Sequence, residues 1–509
     1  MPAVAGDLPL SVGFKFFGHM VKEKTEMITE IRFAPLALTS TTVRVEWSVV
    51  PETEIYARTH FTLDFGDALD PRTLPLKLWW TVAILCIHSH WNLLRPCRVI
   101  LPVTLDPGEI EFWLRLLDQE RLMLEMTRNG TDFDRTVEIA CEGPLLADDP
   151  LPETGNRYGA TYSGGKDSLL QAAMLCEFTE RPLLVNTCSP MPPMIDHDRP
   201  QRDRAINEFK KRRDVEMVVV NTDLRSIWSH YEVPKQFGYG ISMPMITDPF
   251  LYAATTFAVA ASRGVSSISL ACEMENAYVV SYHGRFSSQP GAFANSLLVV
   301  SALDRLFSRW GIKYNSLITP FNNFQVMQLI RRRYADLADL QISCFWIENE
   351  SQRYCSRCHK CFRIAVMMMA LGEDPGALGL DLEKMFGDYI YYDPELTIGG
   401  GGSAAYAASV IDMTAARKLF PPRGILDMLT LRERRSFRIF TSIIKRLSQH
   451  THPEIVMTHS AYFRFTPPDL RERLRALSLE YWPETDPDDR SDEMAQFDST
   501  LNCLVEPLS

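Results

Sequence analysis

A short loop with two glycines and two serines is the segment of this sequence best suited to chemistry. It reads Tyr162-Ser-Gly-Gly-Lys-Asp-Ser168, follows a short apolar run, and precedes a segment with helical apolar periodicity. This order predicts a strand, a tight turn and a helix. Glycines allow backbone N–H groups to approach an anion, and a helix N-terminus adds partial positive charge. The loop therefore predicts a binding site for phosphate groups at the start of a helix.

The polar side chains of the loop have separable roles. The hydroxyls of Ser163 and Ser168 can donate hydrogen bonds to phosphate oxygens, and the ammonium of Lys166 can neutralise their charge. Asp167 is an unusual neighbour for phosphate, so we expect it to hold a metal ion such as Mg²⁺ or to orient the loop. The alternative is an ordinary turn in which Asp167 or Ser168 only caps the helix. The predicted phosphate-site residues are Ser163, Gly164, Gly165, Lys166, Asp167 and Ser168.

Four cysteines form a second cluster with chemical potential. They follow the pattern Cys-x10-Cys-x2-Cys-x2-Cys, which supplies four soft ligands for a closed tetrahedral Zn²⁺ site. An iron–sulfur cluster is the main alternative, because the number of thiolates does not distinguish the two. Simple burial of the thiols is disfavoured by polar neighbours such as Lys360. The pattern predicts a structural metal site at Cys344, Cys355, Cys358 and Cys361.

Composition limits what the rest of the chain can be. With 509 residues, 46% hydrophobic and 23% charged, the chain is typical of a globular protein with two or three domains. The net charge of −11 argues against broad electrostatic capture of nucleic acid, which needs clustered Lys and Arg. The cysteines are odd in number, eleven, and four are clustered, which suits a reducing compartment better than a disulfide framework. We therefore expect a cytoplasmic protein.

Neither a secretory signal nor a membrane span is expected. Met1–Leu10 has neither a basic region nor a sustained apolar run. The most apolar window, Leu78–Ile87, is too short to cross a bilayer. It predicts a buried helix instead.

The middle of the chain, residues 154–372, carries both clusters and alternates short apolar runs with helical patterns. Alternation at this spacing predicts an α/β domain, in which helices cover both faces of a parallel sheet. The predicted strands are Leu183–Asn186, Val215–Asn221, Ser267–Cys272 and Ser316–Thr319. The predicted helices are Asp203–Arg213, Phe250–Ser262, Phe293–Trp310 and Phe324–Tyr334.

The two outer segments carry no motif. The pattern of residues 1–153 predicts an N-terminal α+β extension. It has strand-like alternation at Thr42–Val49 and Ile55–Phe65 and an apolar helix near Leu76–Leu94. Residues 373–509 predict a mostly helical C-terminal extension. Within it we expect a mobile glycine loop and a solvated acidic tail, at Gly399–Gly402 and Glu484–Glu493.

The phosphate loop resembles the SGGxDS loop of N-type ATP pyrophosphatases, the PP-loop family. Members of that family cleave ATP to AMP and pyrophosphate and activate a carbonyl or carboxylate group as an adenylate. An SGGxDS loop followed by this cysteine pattern resembles, more narrowly, the QueC-like family of 7-cyano-7-deazaguanine synthases. Three weaker matches follow in the family's order, at Pro200–Ala205, Ala271–Met274 and Thr319–Phe321.

The resemblance implies a ligase that uses ATP, Mg²⁺ and Zn²⁺ and acts on 7-carboxy-7-deazaguanine. In that family the carboxylate becomes an adenylate, then an amide with ammonia, and then the nitrile. The resemblance places Ser163–Ser168 on the ATP phosphates and Glu273 against the substrate, at a strand end where such sheets bind ligands. It also implies nucleoside contacts from Val185, Asn186 and Thr187, and weaker candidates at Gln201, Arg202 and Arg204.

The chain also departs from that family. The departures lie near the expected base and phosphates, at Tyr282–Arg285, Asn322–Asn323 and Met243–Pro249. More than half of the chain lies outside the resembling residues. These differences suggest a specialised homologue, such as the QueC-like proteins of bacterial antiphage systems. An amine of a partner protein encoded nearby would then replace ammonia as the nucleophile.

Two other functions stay open at this point. Enzymes of tRNA thiolation or lysidine formation use the same phosphate loop, although thiolation needs catalytic cysteines at the active site and the acidic charge disfavours tRNA. A catalytically inactive, zinc-stabilised nucleotide-binding scaffold is the third possibility. The intact Lys166-Asp167-Ser168 sequence argues against such a loss of activity.

Overall fold

A mixed, mostly parallel β-sheet covered by helices forms the frame of the protein, as seen in a computed structural model of the chain. The structure describes residues 28–94, 96–127, 136–147, 151, 155–190, 199–229, 243–274, 279–282, 285–288, 293–344, 347, 349–387, 458–486 and 491–508. The strands are β1 (Thr29–Phe33), β2 (Ala37–Leu38), β3 (Thr42–Val50), β4 (His60–Asp64), β5 (Cys97–Leu101), β6 (Val137–Cys141), β7 (Arg157–Thr161), β8 (Leu183–Cys188), β9 (Glu216–Thr222), β10 (Val265–Ser269), β11 (Val279–Tyr282), β12 (Arg285–Ser288) and β13 (Lys313–Asn315).

The helices lie between these strands and after the last of them. They are α1 (Leu76–Leu93), α2 (Pro107–Thr127), α3 (Lys166–Phe178), α4 (Arg199–Arg212), α5 (Met243–Ser262), α6 (Leu297–Ser308), α7 (Asn323–Arg332), α8 (His359–Ala370), α9 (Leu382–Gly387), α10 (Arg471–Leu479) and α11 (Ser491–Val505). Within the described ranges, no helix is both long enough and apolar enough to cross a bilayer.

Eleven strands belong to one sheet, in the order β13-β10-β7-β8-β9-β4-β3-β1-β5-β6, with β2 paired to β3. Neighbours from β13 to β9 are parallel, as are β1, β5 and β6. Within this sheet, the antiparallel pairs are those that involve β2, β3 and β4. Strands β11 and β12 form a separate antiparallel pair. The predicted α/β fold with a mostly parallel sheet is confirmed. The chain runs outward from β7 to β9 and then returns to β10 on the other side of β7, so the strand order reverses beside β7.

The strands of residues 1–153 continue the same sheet. Strand β4 pairs antiparallel with β9, with Leu63 opposite Thr222 and Asp64 opposite Asn221. Helix α1 lies against α5 and is buried on all sides, with Trp79 entirely inaccessible to solvent. The helix predicted at Leu76–Leu94 is therefore confirmed as a core helix.

The four helices predicted in the middle segment are all present, with ends that differ by a few residues. Local capping explains two of the starts. Helix α6 begins after Ser296, whose side chain accepts a hydrogen bond from the Val299 N–H. Helix α7 begins with a capping box in which Asn322 and Gln325 each bond the other's backbone N–H.

The predicted strands are partly correct. Strands β8 and β9 lie where Leu183–Asn186 and Val215–Asn221 were expected, and β10 starts and ends earlier than Ser267–Cys272. The strand predicted at Ser316–Thr319 is wrong, because the pairing residues are those of β13, just before it. The hydroxyls of Ser316 and Thr319 donate instead to the Cys272 carbonyl, at 2.9 and 3.0 Å, in a buried turn.

The strand predicted at Ile55–Phe65 begins only at His60. The preceding residues pair with the segment after β9, because the N–H of Ala57 donates to the Ile227 carbonyl at 2.8 Å. An isolated bridge between Tyr56 and Trp228 extends this contact.

The described part of residues 373–509 is mostly helical, as predicted. Helix α11 packs against α2 and α6 and buries Phe497, so it joins the core that the other segments share. The prediction of a solvated tail at Glu484–Glu493 is wrong for Glu484, whereas Asp486 and Asp492 are exposed as predicted. The Glu484 carboxylate accepts a 2.8 Å hydrogen bond from Arg475 and is only 13% exposed, and α11 begins at Ser491. Gly399–Gly402 lies outside the described residues.

Candidate phosphate-binding site and metal centre

The phosphate loop lies between β7 and α3, at the point where the strand order reverses. Such reversals open a crevice at the carboxyl ends of the strands, where sheets of this class bind ligands. Gly164 has a φ of +78°, a conformation that other residues adopt only with strain. Gly165 is the N-cap of α3 and has no side chain to cap it, although the Ser343 hydroxyl accepts from the first N–H of the helix, that of Lys166. The loop therefore presents a helix N-terminus without a cap of its own to the crevice, an arrangement that suits an anion.

The loop's hydroxyl groups lie together. The Oγ atoms of Ser163 and Ser168 are 3.1 Å apart, and Ser168 Oγ also accepts from the Ser163 N–H at 3.1 Å. Ser168 in turn donates to the Gly165 carbonyl at 3.1 Å. These bonds hold both hydroxyls at the mouth of the helix, where each can turn to a phosphate oxygen.

The two charged side chains of the loop pair with each other. The ammonium of Lys166 contacts the Asp167 carboxylate, and the Lys166 side chain is only 3% exposed whereas that of Asp167 is 27% exposed. Asp167 therefore offsets the lysine's charge and keeps an accessible carboxylate at the edge of the cleft. Mg²⁺ is usually held by one or two carboxylates together with phosphate oxygens, so this position fits such an ion.

The loop opens into a cleft of about 170 Å³. A single water needs only about 10–15 Å³ of such space, so the cleft admits a much larger group. Val185 and Thr187 of β8 line it, together with Leu270 and Ala271, which follow β10. Asn186 lies between the two lining residues of β8, and its amide donates to the Tyr162 carbonyl at 2.7 Å. Since side chains alternate along a strand, Val185 and Thr187 face the cleft while Asn186 secures the end of β7.

The cleft is also lined by two cations that the sequence analysis did not select. They are Lys360 and Arg363 of α8. Burial, together with the nearby Arg363, lowers the pKa of Lys360 to about 8, although the Asp167 carboxylate acts in the opposite direction. Lys360 was treated only as a polar neighbour of the cysteines. No local signal in the sequence identified it, because only the packing of α8 brings it to the cleft.

A buried charged network lies beside the cleft. Arg225 donates to the Asp248 carboxylate at 3.1 Å and to the Tyr252 hydroxyl at 3.1 Å, and Tyr252 lines the cleft. Burial raises the pKa of Asp248, and the Arg225 guanidinium opposes that shift. Burial also raises the pKa of Tyr252 to about 12. The network fixes the tyrosine ring at the cleft wall.

The remaining predicted residues are not among those that line the cleft. Glu273 is half-buried and lies two residues beyond Ala271, which does line it. Gln201 of α4 donates to the Glu350 carbonyl at 2.8 Å, so its amide joins two parts of the fold. Arg202 is half-buried and Arg204 is exposed.

The four predicted cysteines come together. Cys344, Cys355, Cys358 and Cys361 are all buried, and their sulfur atoms lie within 4.8 Å of one another. Two Sγ–Sγ separations are 3.5 and 3.8 Å, far longer than the roughly 2.05 Å of a disulfide. A tetrahedral zinc with bonds of about 2.3 Å requires edges of roughly 3.8 Å. The cluster therefore fits a metal ion such as zinc.

Backbone geometry supports the same conclusion. The N–H groups of Cys355 and Cys358 point at cysteine sulfurs, at 3.2 and 3.3 Å. Ser356 has a φ of +57°, which turns the chain sharply between the ligands. Hydrogen bonds among the four thiols lower the pKa of Cys358 and raise the pKa of Cys344 and Cys361, so the thiols share their protons within the cluster.

The metal centre and the phosphate loop are in direct contact. The N–H of Ile342 donates to the Gly164 carbonyl at 2.7 Å, and the N–H of Lys166 donates to Ser343 Oγ at 3.1 Å. Ile342 and Ser343 lie immediately before Cys344 in the chain. The two clusters thus form one composite site.

Comparison of the chain with protein-family models, curated proteins and solved structures finds no match.

Proposed function

We propose that this protein is an ATP-dependent enzyme that adenylates a carboxylate and releases pyrophosphate. The observation that carries the proposal is the helix start after β7, whose glycine N-cap leaves it without a side-chain cap of its own and which lies at a cleft lined by cations from two helices. Anionic phosphates are favoured by both features. The resemblance of the loop to SGGxDS sequences selects pyrophosphate release over transfer of the terminal phosphate.

The proposed chemistry needs two steps. A carboxylate oxygen of the substrate attacks the α-phosphorus of ATP, the bond to the β-phosphate oxygen breaks, and pyrophosphate leaves. A nitrogen nucleophile then attacks the acyl carbon, AMP leaves, and the nitrogen loses a proton. Ser163, Ser168 and the start of α3 would bind the phosphate chain, since these donors face the cleft. Asp167 would hold Mg²⁺, which neutralises phosphate charge when bound.

The proposed substrate is 7-carboxy-7-deazaguanine or a similar deazapurine acid. Glu273 is the candidate for its recognition, because a carboxylate can accept hydrogen bonds from the ring N–H and the exocyclic amine of a guanine-like edge. Its half-buried position just beyond the strand end that lines the cleft is compatible with that role. ATP–pyrophosphate exchange with and without the acid tests the substrate. Absence of stimulation would rule out the acid, and equal stimulation of Glu273→Gln would rule out the residue.

The proposed nucleophile is an amine of a partner protein, with ammonia as the simpler alternative. Aromatic segments in the outer parts of the chain are one source of apolar anchors for such a partner. Trp79 and Trp80 are buried in α1, and Tyr462 and Phe463 are buried as well, so these side chains are not exposed to a partner. A further aromatic segment, Phe437–Phe440, lies outside the described residues. A mass increase on a co-expressed neighbouring protein would support the partner, whereas efficient nitrile formation from ammonia alone would exclude it.

The products of ATP turnover test the central proposal. Purified protein with ATP, Mg²⁺ and candidate acids should yield AMP and pyrophosphate in equal amounts. ADP and orthophosphate would contradict the proposal. No turnover with any acid would favour the inactive scaffold, and turnover stimulated only by tRNA would favour a tRNA-modifying enzyme.

A further inference from the structure

The charges around the cleft are unevenly distributed. On the side of the loop, the Lys166 ammonium contacts the Asp167 carboxylate, so this pair contributes little net positive charge. Lys360 and Arg363 of α8 also line the cleft. Among the lining residues of the described structure, Asp167 is the one carboxylate. The lining residues therefore include three cations and one carboxylate, and α8 contributes two of those cations.

Helix α8 begins inside the metal centre. Lys360 lies between the ligands Cys358 and Cys361 in the chain, and Arg363 lies one half-turn beyond Cys361. Cys358 and Cys361 are buried at 2% and 0% exposure, so the start of the helix has little freedom to move. The direction of both cationic side chains thus depends on the geometry of the four cysteines.

The same four-cysteine segment also contacts the loop. Ile342 and Ser343, directly before Cys344, bond the backbone of Gly164 and Lys166. The segment therefore contacts the loop through residues 342–343 and contributes Lys360 and Arg363 to the lining of the cleft through α8. A change in the cluster would alter the position of these cations relative to the loop.

We propose that Lys360 and Arg363 bind the pyrophosphate end of the nucleotide, and that the four-cysteine metal centre positions them against the phosphate loop. This inference rests on the proposed function for the identity of the anion. Pyrophosphate gains negative charge when the bond to the α-phosphate breaks, and nearby cations in a partly buried cleft stabilise that charge more than water does. The metal centre is then a structural site with a direct effect on phosphate affinity.

Pyrophosphate itself is the probe for the test, measured by titration calorimetry with the full-length protein and Mg²⁺. Lys360→Ala should weaken binding by roughly 10- to 100-fold, the loss expected for a hydrogen bond between charged groups. Lys360→Arg should recover most of the affinity, which a merely structural lysine would not require. Lys211→Ala is the matched control, because this lysine of α4 is 70% exposed and pairs with Glu208. The affinity of this variant for pyrophosphate should equal that of the wild type.

Metal content separates positioning from unfolding. Zinc per chain and the unfolding midpoint should be unchanged in Lys360→Ala, and Arg363→Ala, beyond the last ligand, should show the same loss of affinity with metal retained. Metal-depleted protein that remains folded should bind pyrophosphate as weakly as Lys360→Ala does. Wild-type affinity in Lys360→Ala and Arg363→Ala, or no pyrophosphate binding by the wild type, would overturn the inference. Formation of ADP with normal pyrophosphate binding would instead contradict the proposed function alone.

Discussion

The backbone N–H of Lys166 donates a 3.1 Å hydrogen bond to the side-chain oxygen of Ser343. The two residues are far apart in the chain, and Ser343 directly precedes the first cysteine of the metal centre. The bond uses one of the first N–H groups of α3, which have no partner within the helix. It ties the start of α3 to the segment that carries the four cysteines.

Removal of this bond should loosen the loop. Ser343→Ala leaves the Lys166 N–H without its acceptor, and we expect a loss of about 1 kcal/mol in the free energy of unfolding. Affinity for ATP should fall in parallel, because the loop loses one of its two backbone ties to residues 342–343. Urea denaturation and nucleotide titration measure the two effects. Ser351→Ala is the control. That serine is exposed and its hydroxyl donates to the nearby Asn349 side chain, so neither stability nor nucleotide affinity should change.

The two glycines of the loop should respond differently to alanine. Gly164→Ala has space for the new methyl group but forces a left-handed φ of +78°, so we expect a loss of roughly 1–2 kcal/mol in folding free energy. Gly165 has an ordinary φ of −69°, and its new Cβ would lie 3.4 Å from Ser163 Oγ at the cleft wall. Gly165→Ala should therefore keep the stability and weaken phosphate binding. Denaturation and pyrophosphate titration of both variants test this, and equal stability losses would contradict it.

The loop and the cysteines could be predicted because their chemistry is local. Gly164 and Gly165 lie within one turn, and three of the cysteines lie within seven consecutive residues. Long-range pairing could not be predicted in the same way. The strand β4 meets β9 across a long separation in sequence, and alternation of apolar residues does not identify the partner strand. Lys360 escaped notice for the same reason, since only the packing of α8 brings it to the cleft.

Asp167→Asn should abolish ATP turnover and leave the fold intact. The side chain is partly exposed, and its recorded ion pair with Lys166 lies at the edge of the cleft, so no core contact is lost. The amide cannot neutralise Lys166 and is a poor ligand for Mg²⁺. We expect a folded variant whose unfolding midpoint is lowered, because the buried Lys166 ammonium loses its counter-charge, and whose turnover is reduced by at least about two orders of magnitude. Turnover near the wild-type rate, measured as AMP release, would show that Asp167 serves only as part of the helix start.

The metal centre should be needed for folding. About one Zn²⁺ per chain should copurify, and Cys358→Ser should lower solubility and the unfolding temperature, because structural zinc contributes directly to folding free energy. Cys503→Ser, at an exposed cysteine of α11, is the control and should behave as the wild type. Elemental analysis and absorption spectroscopy decide the identity of the metal. Iron together with a visible absorption band would show that the four cysteines hold an iron–sulfur cluster and not zinc.

A buried histidine in α1 should make the protein sensitive to acid. His88 is fully buried, its Nδ1 lies 3.1 Å from the Ile84 carbonyl, and its ring packs edge-on against Phe250 at 4.4 Å. Burial lowers the pKa of His88 from 6.5 to about 4. Between those values the unfolded chain binds a proton that the folded chain does not, so stability is lost as the pH falls from 6.5 towards 4. The shift corresponds to a loss of roughly 3 kcal/mol in the free energy of unfolding once the pH lies below both pKa values.

His88→Gln isolates this contribution, because glutamine is polar but does not titrate. The cost of the substitution itself is measured at pH 7.5, where the histidine is neutral in both states. As the pH falls to 4.5, the stability difference between wild type and variant should narrow by roughly 2–3 kcal/mol, because only the wild type loses the His88 contribution. Urea denaturation across this range supplies the measurement, and titrating groups that do not interact with His88 cancel in the difference. Burial lowers the pKa of His90 and His88 lowers it further, so a smaller change in the His90 contribution accompanies the substitution. A stability difference independent of pH would mean that His88 takes up its proton in the folded state as readily as in the unfolded one.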